Sequence, residues 1–270
     1  MDQDIKIFKN QITSSKDIIN PYRSAFGLLK GRLKWDLSLT SFSSRRKLKK
    51  MRNKFEGKKA VILCNGPSLN KVDFDLLKDT YTFGMNKINL LFDRSNFRPS
   101  CIVSVNQLVI EQNKDYFNET DIPLFVNYRG NKFVKSRDNV VFLHSTQMKT
   151  FARDCSMSIN QGGTVTFVAM QLAFHMGFKE VALVGCDHYF KETGPANATI
   201  NSKEEDDNHF DKRYFSGDMK WQLPDIPQSE YSYNMANDQF NSYGKKIYNC
   251  TEGGHLEIFE RKTLKEFLGK

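Results

Sequence analysis

The stretch Ala60-Val61-Ile62-Leu63-Cys64-Asn65-Gly66-Pro67-Ser68-Leu69 passes abruptly from an apolar run into Asn-Gly-Pro-Ser. A short, continuous apolar run is typical of a buried parallel strand. The glycine lets the backbone approach a ligand, and Ser68 can cap a following helix whose free N–H groups attract an anion. The pattern is typical of the start of a nucleotide-binding α/β fold, although an ordinary strand-turn-helix corner has the same features.

A turn that contains glycine and joins a strand to a helix is called here a glycine corner, and Asn65–Ser68 is the first. A second, Asn160-Gln161-Gly162-Gly163-Thr164, occurs later in the chain. Apolar residues at helical spacing from Gly163 to Met176 follow it, then a helix stop at Gly177 and an apolar strand, Val181–Val184. Polar residues Asp187-His188-Tyr189 come just after this strand, and open α/β sheets bind ligands at the carboxyl ends of their strands. The two glycine corners and the polar residues at this strand end therefore predict a ligand-binding cleft at the carboxyl ends of the strands.

Strand-like apolar runs recur along the chain, separated by helical or loop segments. They lie at Ala60–Cys64, Tyr81–Met85, Cys101–Val105, Ile122–Val126, Val140–Leu143, Val181–Val184 and Lys246–Asn249. This alternation predicts an α/β fold with a Rossmann-like, mostly parallel sheet and helices on both faces. The segment 191–227 is too long for a plain connection and is predicted to be an active-site lid. Within it, Asp206-Asp207 is typical of a solvated acidic run.

Length and charge divide the chain in two. A chain of 270 residues with 39% hydrophobic content can bury one substantial core. We therefore expect one catalytic domain, 58–270, after a basic and partly helical tail, 1–57. Residues 1–60 contain 16 Lys and Arg against 5 Asp and Glu, while the remainder contains 24 against 26. The net charge of +9 thus belongs to the tail.

The tail has an apolar stripe at helical spacing and a basic run, Arg45–Arg52. Either the helix lies on a membrane surface, or it packs the stripe on the catalytic domain and leaves a solvated basic face. Without a bilayer-spanning run or a secretory signal, the protein is expected in the cytoplasm, under the first alternative at the inner face of the cell membrane. Nucleic acid is not an expected partner, because the run has little aromatic interleaving. The stripe consists of Tyr22, Phe26, Leu29, Leu33 and Leu37.

The five cysteines are scattered and form no Cys-x-x-Cys pair. An odd, dispersed set argues against both a disulfide framework and structural zinc. Cys64, Cys101 and Cys186 lie in or beside apolar strand-like runs, so we expect them to be small buried hydrophobic residues and not nucleophiles.

The order of these motifs resembles that of the small bacterial sialyltransferases of glycosyltransferase family 42 and the related motility-associated-factor glycosyltransferases, over roughly residues 58–260. The C-terminal motifs, Asp207 to Phe210 and Tyr248 to Gly254, are similar to uncharacterised relatives from surface-polysaccharide gene clusters that are labelled as pterin-pyrophosphokinase-like. The resemblance implies a GT-A-like variant of the Rossmann-like fold, a CMP-linked donor, and no required metal or other cofactor. The matching motifs are Asn65-Gly66-Pro67-Ser68-Leu69, Asn86, Asn106 followed by Glu111-Gln112, Gly163 with its helix, Gly177-Phe178-Lys179-Glu180 and Gly185-x-Asp187-x-Tyr189.

Binding a nucleotide donor needs a pocket for base, ribose and phosphate. Asparagine suits this task, because its amide both donates and accepts hydrogen bonds without placing negative charge beside a phosphate. Asparagine is also a common turn residue, so a structural role remains the alternative. The predicted donor-binding residues are Asn65, Gly66, Pro67, Ser68, Asn86, Asn106, Gly162, Gly163, Thr164 and Asp187.

The resemblance also implies a general base, a histidine in the lid downstream of the Asp-x-Tyr motif. His209 is the best match by position, while the second lid histidine of the sialyltransferases has no clear counterpart here. His188, or a carboxylate such as Asp187 or Asp211, is the alternative base.

Two tyrosines complete the predicted catalytic set. Tyr189 and Tyr214 are placed to assist the donor phosphate, and a packed tyrosine is the alternative for each. Asp187 resembles a metal ligand, but the lid and core motifs contain no Asp-x-Asp, and no metal is expected.

These observations favour a glycosyltransferase that moves a sialic acid or related nonulosonic acid from a CMP donor onto a surface glycan or glycolipid. One alternative is a pterin-type pyrophosphokinase that uses ATP and magnesium, which the shortage of paired acids near the glycine corners disfavours. Another is a non-catalytic, nucleotide-binding membrane adaptor. The sequence leaves homo-oligomer formation open.

Overall fold

A computed structural model describes residues 20–146, 148–192, 194–202 and 205–270. The chain divides into two compact units, residues 1–42 and 43–270. The part of the predicted tail before residue 20 lies outside the described residues. In the first unit, helix α1 (Pro21–Asp36) begins at Asn20, whose side chain accepts a hydrogen bond from the backbone N–H of Arg23. Among the described residues, no helix is long and apolar enough to cross a membrane.

The second unit contains one eight-stranded sheet in which every neighbouring pair is parallel. The strands of this sheet are β1 (Lys59–Leu63), β2 (Tyr81–Met85), β3 (Cys101–Ser104), β4 (Leu124–Asn127), β5 (Val140–Leu143), β8 (Glu180–Val184), β11 (Lys246–Asn249) and β12 (Glu260–Arg261). Their order across the sheet is β12-β11-β8-β1-β2-β3-β4-β5. This confirms the predicted α/β, Rossmann-like fold with a parallel sheet.

Helices flank the sheet, and four short strands lie outside it. The helix predicted after the second glycine corner runs from Val165 to His175 and is almost wholly buried against the strands, as expected for a helix that is apolar all round. The other elements are β6 (Ser145–Thr146), β7 (Ile159–Asn160), β9 (Thr199–Asn201), β10 (Lys220–Gln222), α2 (Leu39–Met51), α3 (Gln107–Gln112), α4 (Lys114–Glu119), α5 (Val165–His175), α6 (Ile226–Ser242) and α7 (Leu264–Leu268).

The segment predicted to be a lid carries its own small hairpin. Strands β9 and β10 pair antiparallel within 191–227, and helix α6 begins where that segment ends. Sequence periodicity did not predict α6, because its buried side includes small polar residues, Ser229 and Ser232, beside Tyr233 and Phe240.

Candidate functional site

A cleft of about 410 Å³ opens at the carboxyl ends of the central strands. The strand order changes direction here, since β1 continues to β2 on one side but pairs with the much later β8 on the other. Open α/β sheets bind ligands in the crevice outside such a switch point. Residues from both glycine corners, from the strand ends and from the lid line the same cleft.

Asn65 lies at the centre of this switch point and is buried. Its amide nitrogen donates to the backbone carbonyl of Met85 at 3.1 Å and to the hydroxyl of Tyr214 at 3.0 Å. Its amide oxygen is buried and has no hydrogen-bond partner among the described residues. A buried acceptor without a partner is costly, which makes this oxygen a candidate acceptor for a donor group of a ligand.

The other strand-end asparagines have their side chains engaged. The oxygen of Asn86 accepts from the hydroxyl of Ser104 at 3.2 Å. Asn106 is the N-cap of α3, and its amide nitrogen donates to Gln222 of the lid hairpin at 3.0 Å. Asn106 therefore joins the sheet to the lid, a structural contact at the edge of the cleft.

The first glycine corner is filled from within the protein. The carboxylate of Asp187 accepts the backbone N–H of Ser68 at 3.2 Å and the hydroxyl of Ser68 at 2.7 Å. Gly66 is required here, because a Cβ at this position would collide with that carboxylate and lie 2.7 Å from the carbonyl oxygen of Gly185. A short 3-10 helix, Pro67–Lys71, begins here, and the anion at its start is Asp187 itself. Gly66 and Asp187 line the cleft, whereas Pro67 and Ser68 do not.

The second glycine corner closes against helix α6. Gly162 has a left-handed backbone with φ of 56°, and a Cβ there would lie 2.6 Å from the hydroxyl of Ser232, which hydrogen-bonds the carbonyl of Gly162. Gly163 and Thr164 line the cleft, and the side chain of Thr164 caps α5. Gly162 packs against helix α6 and does not line the cleft.

His209 forms an enclosed polar pair with Asp206 at the cleft. Its Nδ1 atom lies 2.7 Å from the carboxylate of Asp206, whose side chain is 4% exposed. That carboxylate also accepts the backbone N–H groups of Asn208 and Phe215. The expectation that Asp206 belongs to a solvated acidic run is therefore wrong, because the lid folds over it and supplies three donors.

An aromatic stack fixes the ring of His209. The imidazole lies parallel to the ring of Tyr214, with centroids 4.0 Å apart, and meets Phe215 edge-on. Tyr214 is buried, which raises the pKa of its hydroxyl, and that hydroxyl accepts the hydrogen bond from Asn65. Tyr214 thus joins the lid histidine to the asparagine of the first corner.

His188 and Tyr189 also line the cleft, a few residues after strand β8 ends. The Nε2 atom of His188 is 3.1 Å from the carboxylate of Glu230, which is half exposed, and its backbone has φ of 54°. Tyr189 is 58% exposed and packs beside His255. The structure therefore brings His188, Tyr189, His209 and Tyr214 to one cleft.

A buried lysine holds the lid against the sheet. Lys87 follows Asn86, and its ammonium group donates to the backbone carbonyl of Tyr214 at 2.6 Å and lies over the ring of Phe215. Burial lowers the pKa of Lys87 to about 8, opposed by the charge of Asp206. Sequence patterns gave no sign of this contact.

Cys64 and Cys186 also line the cleft. A hydrogen bond with Cys186 and burial raise the pKa of the Cys64 thiol well above its usual value. All five cysteines are buried free thiols. Within the described residues, no group of three or more His, Cys, Asp or Glu side chains is arranged to hold a metal ion.

Several lining residues were not predicted. Asn127 ends β4 as Asn86 follows β2, so the same strand-end pattern would have found it. Trp221 and Tyr233 come from the lid hairpin and α6, where no sequence motif marked them.

Asp211, predicted as an alternative base, accepts a hydrogen bond from the guanidinium of Arg213, which lowers the pKa of the Asp211 carboxyl.

The parallel sheet defines a Rossmann-like α/β protein, and the polar cleft at its switch point is a candidate ligand-binding site. The chain belongs to the family described as 6-hydroxymethylpterin diphosphokinase MptE-like, whose model matches residues 38–193. This confirms the resemblance to pterin-pyrophosphokinase-like relatives, and the family is related to transferase- and kinase-like enzymes. The match includes both glycine corners and ends before Asp206 and His209. A comparison with curated proteins gives no significant match.

Proposed function

We propose that the protein is a glycosyltransferase that moves a sugar from a nucleotide donor to a hydroxyl acceptor, with His209 as general base. The observation that carries this proposal is the His209–Asp206 pair at the cleft. The donor class implied by the sequence resemblance is a CMP-linked sialic acid or related nonulosonic acid. The implied acceptor is a surface glycan or glycolipid.

The pair has the features of a preorganised base. Because Nδ1 faces the carboxylate of Asp206, Nε2 is the nitrogen left to exchange a proton, and among the described residues it makes no hydrogen bond. The stack on Tyr214 sets the plane of the ring. A carboxylate that holds one tautomer and supports the imidazolium is the arrangement that general-base histidines use in acyl transfer.

The transfer step follows from this assignment. The acceptor hydroxyl oxygen bonds to the anomeric carbon of the sugar, and the bond between that carbon and the donor phosphate oxygen breaks. The hydroxyl proton passes to Nε2 of His209, and the phosphate leaves as the nucleoside monophosphate. Positioned proton transfer of this kind typically contributes a rate factor of about a hundred or more.

The donor side of the cleft offers a second support. The unpartnered amide oxygen of Asn65 accepts from a hydroxyl or amino group, both of which a nucleoside carries. The asparagines at the neighbouring strand ends add polar lining without negative charge. This lining suits a ligand that bears a phosphate.

The description of the family favours a second candidate, a pterin diphosphokinase. Such an enzyme needs magnesium-binding carboxylates beside the nucleotide. The carboxylates that line or adjoin the cleft are already engaged, Asp187 with Ser68 and Asp206 with His209 and two backbone N–H groups. This arrangement favours the glycosyltransferase over the kinase.

Nucleotide binding and turnover separate the candidates. Thermal unfolding is measured with CMP, UMP, GDP and ATP, each with and without magnesium, and CMP is expected to stabilise the protein without metal. Ligand at about a hundred times its dissociation constant adds about 2.7 kcal/mol to the free energy of unfolding. Stabilisation by ATP and magnesium alone would favour the diphosphokinase. Hydrolysis of CMP-sialic acid by wild type but not by His209→Ala would distinguish an enzyme from a nucleotide-binding adaptor.

A further inference from the structure

We propose that helix α1 binds the surface of an anionic lipid bilayer through one apolar face. This face, called here the α1 stripe, consists of residues spaced so that they share one side of the helix. Its members are exposed instead of buried. They are Tyr22 (85% exposed), Phe26 (68%), Leu29 (57%), Leu33 (49%) and Leu37 (83%).

An exposed apolar face of this kind indicates an interaction surface. Single exposed apolar side chains are common, but a contiguous patch of large ones marks a site that another protein or a membrane covers. The α1 stripe extends over the whole of a 16-residue helix, which is about 24 Å long. A helix of this length and pattern is suited to lie in the plane of a bilayer surface with its apolar face inserted.

The charges around the stripe select the partner. Residues 20–37 contain four Lys and Arg and a single acid, Asp36, whose carboxylate pairs with Arg32 at 2.7 Å. Arg23, Lys30 and Lys34 lie along one flank of the stripe by the helical repeat, and all three are exposed. Contact between two copies of this helix would bring like charges together, whereas anionic lipid headgroups neutralise them.

Binding of the full-length protein to vesicles tests the proposal. Vesicles of phosphatidylcholine with phosphatidylglycerol are expected to bind the protein at low salt, and binding should weaken as salt rises. Vesicles of phosphatidylcholine alone should bind far less. Removing charge with Arg23→Gln, Lys30→Gln and Lys34→Gln together should weaken binding about a hundredfold, at about fivefold for each lost charge. The matched control removes three exposed charges from the second unit, Lys114→Gln, Lys132→Gln and Lys135→Gln.

A pair of leucines tests the stripe itself. Leu33 and Leu28 are each 49% exposed on the same helix but lie about 140° apart around its axis. Leu33→Ser should weaken vesicle binding severalfold, and Phe26→Ser with Leu33→Ser should weaken it further, while Leu28→Ser has a smaller effect. Donor hydrolysis should stay at the wild-type rate in all of these variants, since the residues that line the cleft belong to the second unit.

Three outcomes would overturn the proposal. One is that the intact protein ignores anionic vesicles at low salt, and another is that Leu28→Ser and Leu33→Ser weaken binding equally. The third is that Phe26→Ser with Leu33→Ser converts an oligomer into a monomer without lipid, as light scattering would show. The stripe would then be a subunit interface. Thermal unfolding midpoints confirm that each variant remains folded.

Discussion

Two histidine–carboxylate pairs border the cleft, and they differ in their surroundings. His209 faces Asp206 at 2.7 Å, and the side chain of Asp206 is 4% exposed. His188 faces Glu230 at 3.1 Å, and the side chain of Glu230 is 50% exposed. Both imidazoles are largely enclosed, since His209 is 14% exposed and stacks on Tyr214, and His188 is 8% exposed and lies beside Tyr233, so the pairs differ in the burial of their carboxylates.

This difference decides how firmly each imidazole is held. An exposed ion pair contributes little, because water screens the charges and the side chains stay free to move. A buried carboxylate with three hydrogen-bond donors is held in one position, and losing a donor from such a network is costly. Sequence position already favoured His209 over His188, and the burial of their carboxylate partners adds a physical reason.

The largest expected effect is the loss of the enclosed base. His209→Ala should lower turnover by about a hundredfold or more, because the acceptor hydroxyl loses its proton acceptor. Nucleotide affinity should stay nearly unchanged, since the residue serves the acceptor side. Steady-state kinetics and nucleotide titration measure the two quantities. Turnover close to wild type would remove His209 as the base.

Changing its partner should have the next largest effect. Asp206→Asn keeps the shape of the side chain but removes the negative charge that supports the imidazolium, so kcat should fall about tenfold with little change in KM. Glu230→Gln is the matched control, because it removes the same charge from the exposed pair. Equal losses in the two variants would show that burial of the carboxylate is unimportant.

The buried lysine that contacts Tyr214 should give a pH-dependent effect on stability. Because burial lowers the pKa of Lys87 to about 8 from 10.5, the unfolded chain binds more protons between these values. Stability therefore rises with pH in this window, and this gain is lost as pH falls through about 8. Relative to Lys87→Met, wild type should gain at most about 3 kcal/mol in free energy of unfolding across the window.

Urea unfolding of both proteins across that window measures the difference. Lys114→Met, a change at an exposed lysine, is the control and should show no such trend. A constant difference between wild type and Lys87→Met would mean that Lys87 does not titrate within the window.

The smallest expected effect is at His188. His188→Ala should lower turnover less than about threefold, because the half-exposed carboxylate of Glu230 supports its imidazole weakly. Kinetics measured side by side with His209→Ala give the ratio of the two losses. A larger loss in His188→Ala than in His209→Ala would reverse the comparison and assign the base to His188.

Much of the fold could be predicted from local pattern. The apolar runs at Tyr81–Met85, Val140–Leu143 and Lys246–Asn249 are strands with the predicted bounds. Short apolar runs are typical of strands in a parallel sheet, because both faces of that sheet are covered. Helix α6 was missed, since its buried side is partly polar and is matched to Gly162, a residue distant in sequence.

The sequence by itself determined the class of fold, the two glycine corners and the collection of polar residues at strand ends, because each depends on residues adjacent in the chain. Tertiary structure alone decided that Asp187 fills the first corner, across 119 residues from Ser68, and that Asp206 is buried against His209 and not solvated. It also left the α1 stripe exposed. Burial and charge pairing depend on which segments, distant in sequence, come into contact. Local sequence patterns do not specify those contacts.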